Sequence, residues 1–138
     1  MLMAHGLDAV FARHKRWGEG MRAAVRAWGL SIQCADPAVY SPILTGVMMP
    51  EGVDADSVRK IIHQRFDCSL GTGLGRIKGR MFRIGHLGDT NDLTLLGALA
   101  GCEMGLKLAG IKLAGSGVQA AMDYFSSHAV ATPLRQAA

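Results

Sequence analysis

The sequence predicts an α+β domain: a small, mostly antiparallel sheet with helices packed on one face. Four separated segments repeat apolar residues at three- and four-residue steps, which is helical spacing. Short apolar runs lie between them, stopped by glycine or proline, which is strand spacing. The segments follow in the order helix, strand, strand, helix, strand, strand, helix, helix. At 138 residues the chain has the length of one ordinary domain, and such a chain buries roughly two-thirds of its unfolded surface without staples.

The first helix is carried by Leu7, Val10, Phe11, His14, Trp17, Met21, Val25 and Trp28 and closed by Gly29. Met1, Leu2 and Met3 continue its pattern with no N-cap before them, as if the chain began inside a helix. A short strand is expected over residues 30–34, then a turn at Asp36-Pro37, then a second strand over residues 43–49 stopped by Pro50-Glu51-Gly52. Asp54 is placed to cap a helix whose buried stripe is Val58, Ile61, Ile62 and Phe66. A brief strand over residues 68–70 leads to a glycine-rich loop, residues 71–79, expected to be a flexible connection near a site. The next strand carries Arg83. Thr90 or Asn91 then caps a helix running to about Leu108, on which Gly97, Gly101 and Gly105 make a smooth face for close packing. After Gly115-Ser116-Gly117 a last helix holds Val118, Met122 and Phe125, and residues 129–138 read as a frayed tail.

A content of 49% hydrophobic and 19% charged residues argues against disorder. The basic residues gather as Arg13, His14, Lys15, Arg16, Arg22 and Arg26. No base-reading motif accompanies them, so they are read as a solvated helix face, and nucleic acid is not expected as a partner. Cys34, Cys68 and Cys102 are odd in number and contain no CxxC pair, which fits reduced core thiols of a cytoplasmic protein better than a zinc site or a disulfide set. No metal is expected. The most hydrophobic segment, residues 93–111, is interrupted by Glu103 and Lys107, so no membrane association is expected, and the pair is assigned to the wet side of its helix.

In Met81-Phe82-Arg83-Ile84-Gly85-His86-Leu87-Gly88-Asp89 one arginine stands in an apolar strand. Phe82, Ile84 and His86 point to one side, and Arg83, Gly85 and Leu87 to the other. A guanidinium beside a residue without a side chain leaves room for an anion, and its rigid fork matches a carboxylate. Spacing alone leaves a structural ion pair or a snorkelling edge arginine as the readier explanation. The glycine-rich loop is not a phosphate cradle, because it has Lys78-Gly79-Arg80 where a P-loop needs Gly-Lys-Ser/Thr and lacks the third glycine of the dinucleotide fingerprint.

Gly71-Thr72-Gly73-Leu74-Gly75, Phe82-Arg83-Ile84-Gly85-His86-Leu87-Gly88-Asp89 and Asn91-Asp92-Leu93-Thr94-Leu95 together resemble the C-terminal part of the class V pyridoxal-phosphate aminotransferases. Residues 6–14, Ala27-Trp28-Gly29-Leu30, Cys34-Ala35-Asp36-Pro37 and Ala121-Met122-Asp123-Tyr124 extend the similarity over nearly the whole chain. The resemblance implies the small domain of a fold-type I aminotransferase, with residues 1–29 as the helix linking large and small domains, residues 30–128 as the small domain and residues 129–138 as the tail. It implies an enzyme that moves the amino group of serine, or a similar small amino acid, to glyoxylate, with Arg83 binding the substrate α-carboxylate. It implies amino-acid and 2-oxo-acid substrates, a homodimer, and a large domain of the same enzyme as partner.

The cofactor, pyridoxal 5′-phosphate, would be held by that large domain, since Lys15, Lys60, Lys78, Lys107 and Lys112 do not stand in the context of a Schiff-base lysine. No catalytic or cofactor-binding residue is therefore assigned. The alternative is an isolated folding or assembly module without activity. Cysteine desulfurases share the wider cofactor family, but they need a mobile thiol.

Overall fold

The computed structural model describes residues 6–129. The expectations for Met1, Leu2 and Met3 and for residues 130–138 lie outside it. The elements are α1 (Leu7–Ala27), β1 (Ser31–Ile32), β2 (Leu44–Met48), α2 (Ala55–Phe66), β3 (Gly71–Thr72), β4 (Met81–Gly85), α3 (Asp92–Leu108) and α4 (Gly117–Ser127), with 3-10 turns at Pro37–Val39 and Gly75–Ile77. The strands form one antiparallel sheet in the order β1-β2-β4-β3.

Three helix starts follow from their caps. The Asp54 carboxylate accepts from the amides of Asp56 and Ser57, Asn91 Oδ1 from Thr94 N, and Ser116 Oγ from Gln119 N, which satisfies donors that the first helical turn leaves open. Gly29 adopts φ 77°, the left-handed stop that ends a helix. α1 buries Trp17, Met21 and Val25, and these, with Trp28 just past its end, share one core with Val47, Phe82 and Ile84 of the sheet and Ile62, Leu99 and Leu106 of α2 and α3.

Several expectations shift. β3 falls on Gly71–Thr72, not on residues 68–70, and the glycine-rich stretch is structured: a strand, then a 3-10 turn. Leu7 and Phe11 are exposed at the start of α1, as is Met122 on α4, because those positions sit beside the stripe that meets the core. On α2, Val58 and Ile62 are buried while Ile61 and Phe66 are only half-buried.

The three glycines of α3 divide. An ideal Cβ on Gly105 would lie 2.2 Å from Ile62 Cγ1, and one on Gly101 would lie 3.6 Å from Cys68 Cβ, but one on Gly97 would meet nothing within 4 Å. Gly105→Ala is therefore expected to overpack the α2–α3 contact by about 1–3 kcal/mol, because a buried β-branched side chain has little room to rotate away. Gly97→Ala, which only removes the helical glycine penalty, should be neutral or stabilising. Urea unfolding midpoints of the two variants test the contrast.

Candidate functional site

Arg83 lies at the centre of β4, on the sheet face opposite the core. Its cross-strand neighbours are Gly46 on β2 and Gly71 on β3, so it stands between two residues without side chains. A Cβ on Gly71 would come within 3.0 Å of Arg83 Nε. This contact accounts for a strand on a glycine, since a larger residue there would compete with the guanidinium for space. The ion pairs among the described residues engage Arg16, Arg22, Arg59 and Lys107, and Arg83 is in none of them. Its Nε is buried with no hydrogen-bond partner among the described residues. The structural ion pair that spacing favoured thus has no counterion here.

The guanidinium faces a cleft of about 330 Å³ whose lining includes Arg22, Tyr40, Thr45, Leu74 and Ile77. The glycine-rich stretch builds one wall. Gly73 permits this, because a Cβ there would sit 2.2 Å from the Ile77 carbonyl oxygen and 2.9 Å from Met81 Cγ, so the turn closes tightly over Met81. Leu74 and Ile77 carry no chemical signal in sequence, and only the closure of the turn shows that they line a site.

Arg22 corrects the reading of the basic cluster as a solvated face. Its side chain is 3% exposed, donating from Nη2 to Glu19 at 2.8 Å and from Nη1 to the Ser41 carbonyl at 3.0 Å, with the guanidinium 4.8 Å from the Tyr40 ring centroid. It braces the Tyr40–Ser41 wall against α1. Arg16 also leaves solvent, binding both oxygens of Asp92 at 2.7 and 2.8 Å while Trp17 Nε1 donates to the same carboxylate. The Arg16 hydrogen bond lowers the Asp92 pKa against the opposing effect of burial. His14 is buried too. Residues of a basic run on an amphipathic helix turn inward where the neighbouring elements supply acceptors.

Beneath the cleft His86 is buried, its Nε2 3.0 Å from Thr45 Oγ1. Burial, and next the positive charge of Arg22, push its pKa from the ordinary 6.5 to about 4. The native state keeps His86 neutral while the unfolded chain takes up a proton, so stability should fall as pH drops from 6.5 towards 4 and the contribution should be gone below that window. Urea midpoints across the window check this, and His86→Gln should flatten the slope there.

The cleft does not fit pyridoxal phosphate. No lysine and no carboxylate lines it, and Lys107 is held by Glu103 at 3.0 Å. Among the described residues no group of three His, Cys, Asp or Glu could hold a metal ion, and no helix is long and apolar enough to cross a membrane. Of the three expected core thiols only Cys102 is buried, with Cys34 and Cys68 half-buried.

The four-stranded antiparallel sheet and its helices form an α+β fold that matches solved aminotransferase structures. No family model matches the chain. It superposes on pyridoxamine–pyruvate aminotransferase from Mesorhizobium loti with a TM-score of 0.85 and 35% identity, over 92% of this chain and 33% of that one. It is 45% identical over 130 residues to serine–glyoxylate aminotransferase of Hyphomicrobium methylovorum, covering 94% of this chain and 32% of the relative. To L-aspartate–glyoxylate aminotransferase of Paracoccus denitrificans it is 42% identical over 125 residues, covering 90% and 32%. Over most of its length the chain is thus similar to one part of these aminotransferases, and it spans about a third of the length of the curated relatives it matches.

Proposed function

We propose that this chain supplies the carboxylate-binding arginine, Arg83, to a class V aminotransferase that moves the amino group of serine, or a similar small amino acid, to glyoxylate. The observation that carries the reading is the Arg83 guanidinium, set between Gly46 and Gly71 at a cleft with no counterion among the described residues. A planar fork with open donors takes a carboxylate through two parallel hydrogen bonds. Leu74 and Ile77 would keep water from one side, and the wall braced by Arg22 would bound the other. The choice of small acids draws on the names of the relatives, two of which carry glyoxylate as the partner substrate.

Pyridoxal phosphate, bound by a large domain, supplies the electron sink of the reaction. In the proposed assembly α1 joins the two domains of one subunit, and the enzyme is a cytoplasmic homodimer. Kinetics of Arg83→Ala and Arg83→Lys in a full-length enzyme test the role of the arginine.

The lysine-free cleft favours a second statement about the 138-residue chain: by itself it is a folding or assembly module without transaminase activity. Mixed with pyridoxal phosphate and reduced with borohydride, it should give no stoichiometric adduct at one lysine. A single stoichiometric adduct would overturn that statement and leave the role of Arg83 untouched.

A further inference from the structure

β3 is a two-residue strand at the edge of the sheet, and its Gly71 forms the slot in which the Arg83 side chain lies. A glycine in a strand is conformationally loose, and β3 has a ladder partner on one side only, so its own backbone is a weak guide to its position. The guide comes from the first turn of α2. Asp56 Oδ1 accepts from Thr72 Oγ1 at 2.8 Å and from Arg59 Nη1 at 2.7 Å. Arg59 in turn donates from Nε at 2.8 Å and from Nη2 at 2.5 Å to the Leu70 carbonyl. The residues on both sides of Gly71 are therefore tied to one carboxylate and its arginine partner. Thr72 Oγ1 also lies 3.2 Å from the Gly73 carbonyl, but its single proton goes to the nearer, charged acceptor.

This latch stands apart from the cleft. Thr72 pairs with Phe82 and Gly71 with Arg83, so alternation turns Thr72 to the helix side of the sheet and leaves Gly71 on the cleft side. None of Asp56, Arg59 and Thr72 lines the cleft. As an i,i+3 pair on a helix surface, Asp56 and Arg59 would contribute little to stability. Their contacts across to β3 do something a surface pair does not. They fix an edge strand packed close on Arg83, where a Cβ at Gly71 would lie 3.0 Å from Nε and 3.2 Å from Arg83 Cβ, so a shift of β3 moves the guanidinium with it.

We propose that Asp56 is a positioning residue, acting through Thr72 and Arg59 to hold β3 where the Arg83 guanidinium is aimed into the cleft. This role presupposes that Arg83 binds the substrate carboxylate. Asp56 itself touches no substrate. With the latch loosened the fork tilts, and a tilted fork keeps its charge but loses one of its two parallel hydrogen bonds to a carboxylate.

The test measures steady-state kinetics of Thr72→Val, Thr72→Ser and Asp56→Ala in a full-length enzyme, beside Arg83→Ala and the double variant of Thr72→Val with Arg83→Ala. Thr72→Val keeps the branched shape favoured in a strand and removes only the hydroxyl. It and Asp56→Ala should each raise KM for amino donor and oxo acid by about tenfold, within the reach of a small misplacement, and leave kcat within about twofold. Thr72→Ser, which restores the hydroxyl, should behave as the parent. With Arg83 gone the latch has nothing to aim, so adding Thr72→Val to Arg83→Ala should change kcat/KM by less than about twofold. A KM within about twofold of the parent in Thr72→Val and Asp56→Ala, while Arg83→Ala raises it, would overturn the positioning role and leave the role of Arg83 standing. Effects that multiply in the double variant, or a loss confined to kcat, would also overturn it. Parent-like kinetics for Arg83→Ala would instead remove the carboxylate-binding role, and the positioning role with it.

Discussion

Replacing Glu103 by alanine is expected to destabilise the chain by about 3–5 kcal/mol, the range for removing one member of a buried, hydrogen-bonded charged network. Its Oε2 accepts from Trp28 Nε1 at 2.9 Å, Gly117 N at 2.8 Å, Val118 N at 3.2 Å and Ser116 Oγ at 3.2 Å, while Oε1 takes Lys107 Nζ at 3.0 Å. One buried carboxylate therefore joins the end of α1 to the first turn of α4. Alanine would strand the indole N–H and two backbone donors in the interior, and each stranded donor costs about 1–3 kcal/mol before any relaxation. Burial alone would raise the Glu103 pKa, but hydrogen bonds from Trp28, Lys107 and Val118 outweigh it and hold it at about 2. The stability it confers is complete above the ordinary 4.5 and is lost as pH falls through about 2. Glu103→Gln keeps an acceptor without the charge and should fall between the two. Urea unfolding that places Glu103→Ala within about 1 kcal/mol of the parent would show that the network is not a mainstay of the fold.

In a full-length enzyme, Arg83→Ala should cost about 2–5 kcal/mol of substrate binding, as truncating one partner of a buried charge pair does. At about 1.4 kcal/mol per decade this is roughly thirty- to several-thousand-fold in kcat/KM. Lysine keeps the charge but presents a single rotating ammonium in place of a planar fork, so Arg83→Lys should recover only part of the loss. In the proposed role the arginine grips a carboxylate away from the reacting carbon, so both variants should raise KM for amino donor and oxo-acid acceptor alike. Steady-state constants within about threefold of the parent would remove Arg83 from the site.

The order of elements was legible because it rests on local periodicity and on caps such as Asp54 and Asn91. What stayed hidden depends on partners distant in sequence. Glu103 and Lys107 stand at the spacing of an exposed helical pair, and nothing local shows that Trp28, 75 positions away, turns the carboxylate inward. Arg22 and Arg16 looked like solvated charges until Ser41 and Asp92 came within reach. β3 was placed three residues early because glycine is a poor strand former, and only the bulk of Arg83 opposite makes it suitable. Arg83 itself was visible as an arginine with an empty neighbour at Gly85, but the two glycines that border it belong to other strands.

The buried Nε of Arg83 sets fold stability against the proposed activity. Selection for stability alone would favour an apolar side chain at this position, as at Met81 on the same strand, since a desolvated donor without an acceptor is a standing penalty. A carboxylate ligand would relieve that penalty, so part of the ligand's affinity is already stored in the unliganded fold. A library screened only for heat resistance would then drift away from arginine at position 83, while one screened for growth on the transaminase reaction would hold it fixed.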